Sequence, residues 1–240
     1  MILMGVVNLT PDSFREETRA MTPSAIKQRV KALMDRGCSI IDFGAVSTRP
    51  GAADVPIETE WQRLEPAMAL LKKVDISIDT TSAEIVRRAY GRIGRFIVND
   101  ISAGEDDPAM LPTVAELGLP YIAMHKRGNP RSMDALTEYP QGVVQAVNDY
   151  FEQFAEKAGK LGIEEWILDP GFDFAKTAEQ NWELLENLPT LKHFGRPILV
   201  GVADKRFTHT PNPFAPEQTP SSQYAERLAE ERGADILRIH

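Results

Sequence analysis

The sequence holds one cysteine, Cys38, which excludes an intrachain disulfide framework and a cysteine-built zinc site and fits a reducing compartment. Basic residues are in the minority: 27 Lys and Arg against 35 Asp and Glu leave a formal charge of −8. A nucleic-acid partner would need a local basic patch strong enough to overcome that field, and no such patch stands out. No apolar run approaches the ~18 residues of a membrane span. Met1 leads straight into Ile2-Leu3-Met4-Gly5-Val6-Val7, without a basic leader or a small-residue cleavage site. These absences predict a cytoplasmic chain, neither secreted nor inserted in a membrane. Repeats of fixed period and low-complexity segments are missing too, and the Pro-rich stretch 210–220 reads as a surface loop.

The 240 residues are 42% apolar and 26% charged, enough to bury a sizeable core in one large domain over 1–240. Short apolar runs at 2–8, 39–43, 76–79, 96–99, 121–124, 166–169, 198–201 and 236–240 predict eight strands. Between them, apolar residues recur every three or four positions near 23–36, 58–73, 82–91, 106–117, 142–161, 178–188 and 219–232, which predicts seven helices. Strands apolar throughout are buried on both faces. Eight alternating units therefore favour a closed (β/α)8 TIM barrel over an open doubly wound α/β sheet. The eighth helix is absent from this chain, which stops with the last strand.

In such a barrel the chemistry sits at the C-terminal strand ends and the loops that follow. Here the apolar runs end in polar residues: Asn8, Asp79, Asn99-Asp100, His125, Asp169, and Arg238 with His240. Any one of these could be a helix N-cap, but six converging on one rim weaken that reading. Asp79, Asn99 and Asp169 together offer two carboxylates and an amide. That set suits a ligand edge with several N–H donors and one carbonyl, such as a 2-amino-4-oxopyrimidine. A divalent-metal site is the rival reading of the same groups. Lys205, soon after the seventh strand, either covers that ligand's carbonyl or is a solvated lysine. Thr48-Arg49-Pro50-Gly51, Arg238 and His240 supply hydroxyl, guanidinium and imidazole groups suited to phosphate oxygens. A plain surface arginine at Arg49 and an exposed terminal His240 are the alternatives. His193 and His209 read as solvated, and Cys38 as a small core residue.

Eight segments carry a family resemblance: Met4-Gly-Val-Val-Asn-Leu-Thr-Pro-Asp-Ser-Phe14, Ser47-Thr-Arg-Pro-Gly51, Ser77-Ile-Asp-Thr80, Asn99-Asp-Ile-Ser102, Met124-His-Lys-Arg-Gly128, Leu168-Asp-Pro-Gly171, Val200-Gly201 with Lys205-Arg-Phe207, and Ile236-Leu-Arg-Ile-His240. In order and spacing they resemble the dihydropteroate synthases over the whole chain. The resemblance implies a (β/α)8 fold and the condensation of 6-hydroxymethyl-7,8-dihydropterin pyrophosphate with 4-aminobenzoate in folate synthesis. It implies a pterin pocket of Asp79, Asn99, Met124, Asp169, Gly201 and Lys205, with Asp79, Asp169, Lys205 and Arg238 as the catalytic groups. Asn8, Arg49, Arg238 and His240 match the pyrophosphate site, with Asn8 next to Mg²⁺, while Thr48, Pro50 and Phe174 border the aminobenzoate. A homodimer and sulfonamide competition for the aminobenzoate pocket belong to the same implication. A pterin-binding paralogue with little turnover and a pterin-dependent methyltransferase are the alternatives. The methyltransferase is disfavoured by retention of Ser47 to Gly51 and of Arg238 with His240.

The departures from the family pattern cluster near the implied substrates. Arg15-Glu16-Glu17-Thr18 stands where the family has Ser-Asp-Gly-Gly, and Gly44-Ala45-Val46 lacks a usual acidic group. Phe172-Asp173-Phe174-Ala175-Lys176 replaces Phe-Gly-Phe-Gly-Lys, and Ala203-Asp204-Lys205 replaces Ser-Arg-Lys. If Asp173 and Asp204 face the aminobenzoate channel, each is expected to oppose an anionic substrate.

Overall fold

A computed structural model describes residues 1–10, 22–46, 55–68, 74–128 and 135–240. Strands and helices alternate in chain order: β1 (Ile2–Asn8), α1 (Pro23–Asp35), β2 (Ile40–Gly44), α2 (Ile57–Met68), β3 (Asp75–Asp79), α3 (Ala83–Ile93), β4 (Ile97–Asp100), α4 (Met110–Leu117), β5 (Tyr121–Met124), α5 (Val143–Leu161), β6 (Trp166–Asp169), α6 (Ala178–Glu186), β7 (Leu199–Val200), α7 (Ser222–Glu231) and β8 (Ile236–Ile239). The pairing is parallel throughout, in the order β6-β5-β4-β3-β2-β1-β8-β7. A parallel bridge between Leu168 of β6 and Ile198, just ahead of β7, closes the ring. The expected TIM barrel is therefore what the chain forms. No helix among the described residues is long and apolar enough to cross a membrane.

Local sequence sets the helix starts. Thr22, Ser82 and Ser221 each accept an N–H from the first turn, at Ala25, Ile85 and Tyr224. A reciprocal capping box between Thr177 and Gln180 opens α6 directly after the loop that carries Phe174. The expected start near 106 gives way to Met110 because Asp107 folds the preceding segment into a turn. Its carboxylate accepts from Ala109 N and Ala83 N. Two 3₁₀ segments, Leu188–Phe194 and Arg206–His209, have no counterpart in the expected elements.

Side-chain alternation divides the barrel into two apolar layers. The outward residues of the strands pack with the helices in one large core. Cys38 lies there as expected, 5% exposed, with burial raising its thiol pKa. Met4, Ile40, Ile122, Leu199 and Ile236 form a second, separate cluster that fills the barrel axis, joined by Ile97 and Ile167. Each such side chain withdrawn from water contributes about 1.5–3 kcal/mol, so the axis is a packed floor rather than a pore.

Candidate active site

The floor fixes what lies above it. Two residues beyond each floor residue, the same strand points inward again. Ile97 is followed by Asn99, Ile122 by Met124, Ile167 by Asp169, Leu199 by Gly201, and Ile236 by Arg238. Asn8, Gly44, Asp79 and Asn99 are successive register partners across β1, β2, β3 and β4, and Met124 pairs with Asp169 across β5 and β6. The expected pocket residues thus form one polar tier at the C-terminal mouth. Asn99 is 3% exposed and Asp169 7% exposed.

The hub beneath this tier is Asp42, fully buried in mid-β2. Its Oδ1 accepts the Ser77 hydroxyl at 2.7 Å. Its Oδ2 accepts Asn99 Nδ2 at 3.0 Å and Arg238 Nε at 3.0 Å, and Arg238 Nη2 lies 2.8 Å from the same oxygen. Arg238 Nη2 also reaches Asp79 Oδ2 at 3.1 Å, so one guanidinium bridges two carboxylates. Burial and the Asp42 charge push the Asp79 carboxyl up to about 7, against the lowering pull of Arg238. Arg238 is shifted upward: its burial opposes charge, and Asp42, Asp79 and Asp169 outweigh it. Asp169 is raised by burial, partly offset by the Gly171 N–H that its Oδ1 accepts at 2.8 Å.

The loops after β6 and β7 supply the outer wall. Lys205 Nζ stands 5.0 Å from the centroid of the Phe174 ring, a cation–π pair. Burial lowers the Lys205 pKa, and the charge of Asp173 works against that shift. The loop after β6 turns through left-handed backbone at Asp173 (φ 64°) and Ala175 (φ 53°), conformations that glycine adopts without strain. Gly171 is irreplaceable there on steric grounds. A Cβ on it would sit 2.0 Å from the His125 carbonyl oxygen, and its φ is +69°. Lys176 ties the same loop down from behind, its Nζ bonding the Gly171 and Phe174 carbonyls at 2.8 and 3.0 Å and His125 Nδ1 at 3.0 Å.

A model of the pterin-binding enzymes matches residues 4–240. The chain belongs to that family. A dihydropteroate synthase of Synechocystis is 40% identical over 249 residues, spanning 99% of this chain and 84% of the relative. Among solved structures, a Yersinia pestis dihydropteroate synthase in complex with a sulfonamide drug superposes with a TM-score of 0.88 at 30% identity, covering 100% of this chain and 88% of that one. A Xanthomonas albilineans dihydropteroate synthase with 4-aminobenzoic acid gives 0.84 at 34%, covering 100% and 87%.

Set against this pterin-binding frame, two expected rim members are misplaced. His125 and Asp100 each follow an inward residue directly and so point outward, toward the helices. His125 is 2% exposed, packs edge-on against Tyr150, and is held well below the usual histidine range by burial and the Lys176 charge. Asp100 accepts from Ser102 N, Gly104 N and the Tyr121 hydroxyl, and so shapes the turn after β4. Asp173 does not present a free carboxylate either. Its Oδ2 accepts the Arg206 N–H at 2.8 Å, and its side chain is 13% exposed.

Thr48, Arg49 and Pro50 lie outside the described residues. Asn8 and His240 sit at the strand ends as expected, half-buried, with the His240 carbonyl accepting from Arg36. His193 and His209 are exposed. Asp42 and Lys176 were not among the expected site residues: Asp42 lies inside its apolar run rather than at its end, and Lys176 figured only in the altered segment after β6. A carboxylate between apolar neighbours at Ile40-Ile41-Asp42-Phe43 was the available signal for the first.

Proposed function

We propose that the chain is a dihydropteroate synthase, joining 6-hydroxymethyl-7,8-dihydropterin pyrophosphate to 4-aminobenzoate with release of pyrophosphate. The observation that carries this reading is the inward tier of Asp79, Asn99 and Asp169 under Lys205. Two carboxylates and one amide stand above an apolar floor, where an aminopyrimidinone edge finds acceptors for its N–H groups and, in Lys205, a donor for its carbonyl.

In the reaction the bond between the pterin methylene and the pyrophosphate oxygen breaks. The leaving group takes the electron pair, and the arylamine nitrogen attacks the resulting cation and then gives up a proton. No protein nucleophile is required. Asp79 and Asp169 hold the heterocycle and offset the positive charge that spreads into its ring. Asp42 keeps Arg238 charged and aimed at the mouth, where it meets the pyrophosphate with Arg49 and His240. Phe174, Thr48 and Pro50 border the arylamine.

Among the described residues no three His, Cys, Asp or Glu are grouped to hold a metal ion. Asn8, half-buried at the end of β1, is the side chain that would hold a Mg²⁺ ion through its amide oxygen, with water and substrate oxygens supplying the other ligands. Bound there, the ion would neutralise charge on the pyrophosphate. A cytoplasmic homodimer, with sulfonamides competing for the aminobenzoate site, completes the reading.

The test is pyrophosphate release measured with pterin pyrophosphate, with and without 4-aminobenzoate and Mg²⁺. Release that depends on both organic substrates is expected. Tight pterin binding without release would assign the chain to the non-turnover reading instead. Sedimentation of the purified chain reads the dimer.

A further inference from the structure

The loops after β6 and β7 meet residue against residue, running in opposite directions. Phe172 stacks on Phe207 with centroids 5.8 Å apart and planes at 20°. One step outward, Asp173 Oδ2 accepts the Arg206 N–H at 2.8 Å, with the Arg206 Nε 4.0 Å away. One step further, the Phe174 ring faces the Lys205 ammonium at 5.0 Å. Three consecutive residues of one loop thus pair with three of the other: an apolar rung at the base, a hydrogen-bonded rung in the middle, and a cation–π rung at the pocket wall.

The middle rung is anchored from a second side. Asn181, fully buried in α6, takes the Asp173 N–H on its Oδ1 at 2.9 Å and gives its own amide to Asp173 Oδ1 at 3.3 Å. Asp173 holds this place from left-handed backbone at φ 64°, a conformation that aspartate tolerates better than most residues. The Asp173 backbone N–H fixes the turn before Phe174 on Asn181, while the carboxylate adds a second tie to α6 and captures the first residue of the 3₁₀ segment, directly after Lys205.

We propose that Asp173 is a positioning residue for the arylamine, clasping the two loops so that Phe174 and Lys205 stand as one preformed wall. This rests on the synthase reading above. It makes a prediction opposite in sign to simple charge repulsion. A carboxylate that repelled the incoming benzoate would improve binding when removed, whereas a clasp worsens it.

The experiment compares Asp173→Gly and Asp173→Asn with the parent chain in the pyrophosphate-release assay. Glycine accepts the left-handed backbone, so Asp173→Gly should melt near the parent while losing the acceptor for Arg206 N–H. It should raise the KM for 4-aminobenzoate about tenfold, the equivalent of ~1.4 kcal/mol, with kcat and the KM for pterin pyrophosphate within about twofold. Asp173→Asn keeps an oxygen acceptor for the Arg206 N–H but turns its NH₂ toward Asn181 Nδ2, so it should recover only part of the loss, with an arylamine KM about threefold above the parent. An arylamine KM that is unchanged or lower in Asp173→Gly overturns the clasp, as does an Asp173→Asn variant as impaired as the glycine. A parent chain that releases no pyrophosphate overturns the synthase reading itself and the clasp with it.

Discussion

Replacing Asp42 by asparagine preserves the shape of the hub while deleting its charge. In the best orientation the amide oxygen takes the place of Oδ2, where it still faces Asn99 Nδ2 and two atoms of Arg238. The new NH₂ then faces the Ser77 hydroxyl, which can turn to accept. Most hydrogen bonds survive, so what is lost is the electrostatic partner of a buried guanidinium. Removing one member of a buried pair costs about 3–5 kcal/mol, and because Arg238 keeps Asp79, the low end applies. At roughly 2–4 °C per kcal/mol for a chain of this size, the expected fall in Tm is about 6–12 °C. The site should change as well. Arg238 keeps its hydrogen bonds to the new amide oxygen but has Asp79 as its nearest anionic partner, so it holds Asp79 more tightly and competes with the pterin for that carboxylate. The Asp79 pKa then drops below about 7, because the second-largest cause of its elevation has gone. Thermal unfolding with calorimetric titration of the pterin reads both effects. A variant that melts within about 1 °C of the parent and binds pterin equally well would refute the hub.

Gly171→Ala should cost about 2–6 kcal/mol in urea unfolding, from a strained φ and a collision with the His125 carbonyl together; a near-neutral result would deny the close approach of the two loops. The folded Asp79 carboxyl is raised from 3.8 to about 7, so its contribution to stability is whole below 3.8 and is lost as pH rises toward 7. Asp79→Asn should remove that part of the decline, and an unaltered slope of stability against pH over this window would refute the assignment. Lys176 runs the other way, lowered by burial from 10.5 to about 7, with stability present above 10.5 and lost as pH falls toward 7. Lys176→Met should abolish that loss yet take the donor from the Phe174 carbonyl, at about 1–3 kcal/mol, while the Gly171 carbonyl keeps the Phe174 N–H. A variant whose stability still fell like the parent's as pH dropped from 10.5 toward 7 would count against the assignment.

Much of the fold was legible because each strand is a short apolar run between polar turns, a pattern that local sequence displays in full. The candidate tier was legible for the same reason: Asp79, Asn99 and Asp169 end their runs. Position at the end of a run does not distinguish inward from outward, however, and that is why His125 and Asp100 joined the rim wrongly. Counting back two residues to the floor would have separated them. The loops after β6 and β7 show the opposite failure. Arg206–His209 is a 3₁₀ turn with no periodic signature of its own, held by partners from another loop, and the role of Asp173 depends on that tertiary contact. From sequence alone its charge was visible and its partner was not.

The two-residue step from floor to pocket ties the chemistry of each strand to its length. A substitution at Asn99 or Asp169 alters one group and leaves its neighbours in place. Losing the single residue between Ile97 and Asn99 does something different: with the pocket end held, Ile97 would turn from the floor to the helices and Phe96, an outward core residue, would turn onto the axis. Both layers would be disrupted by one lost codon. A residue lost from the loops above or below the strands would leave this alternation untouched, and only a loss of two within a strand would keep its phase.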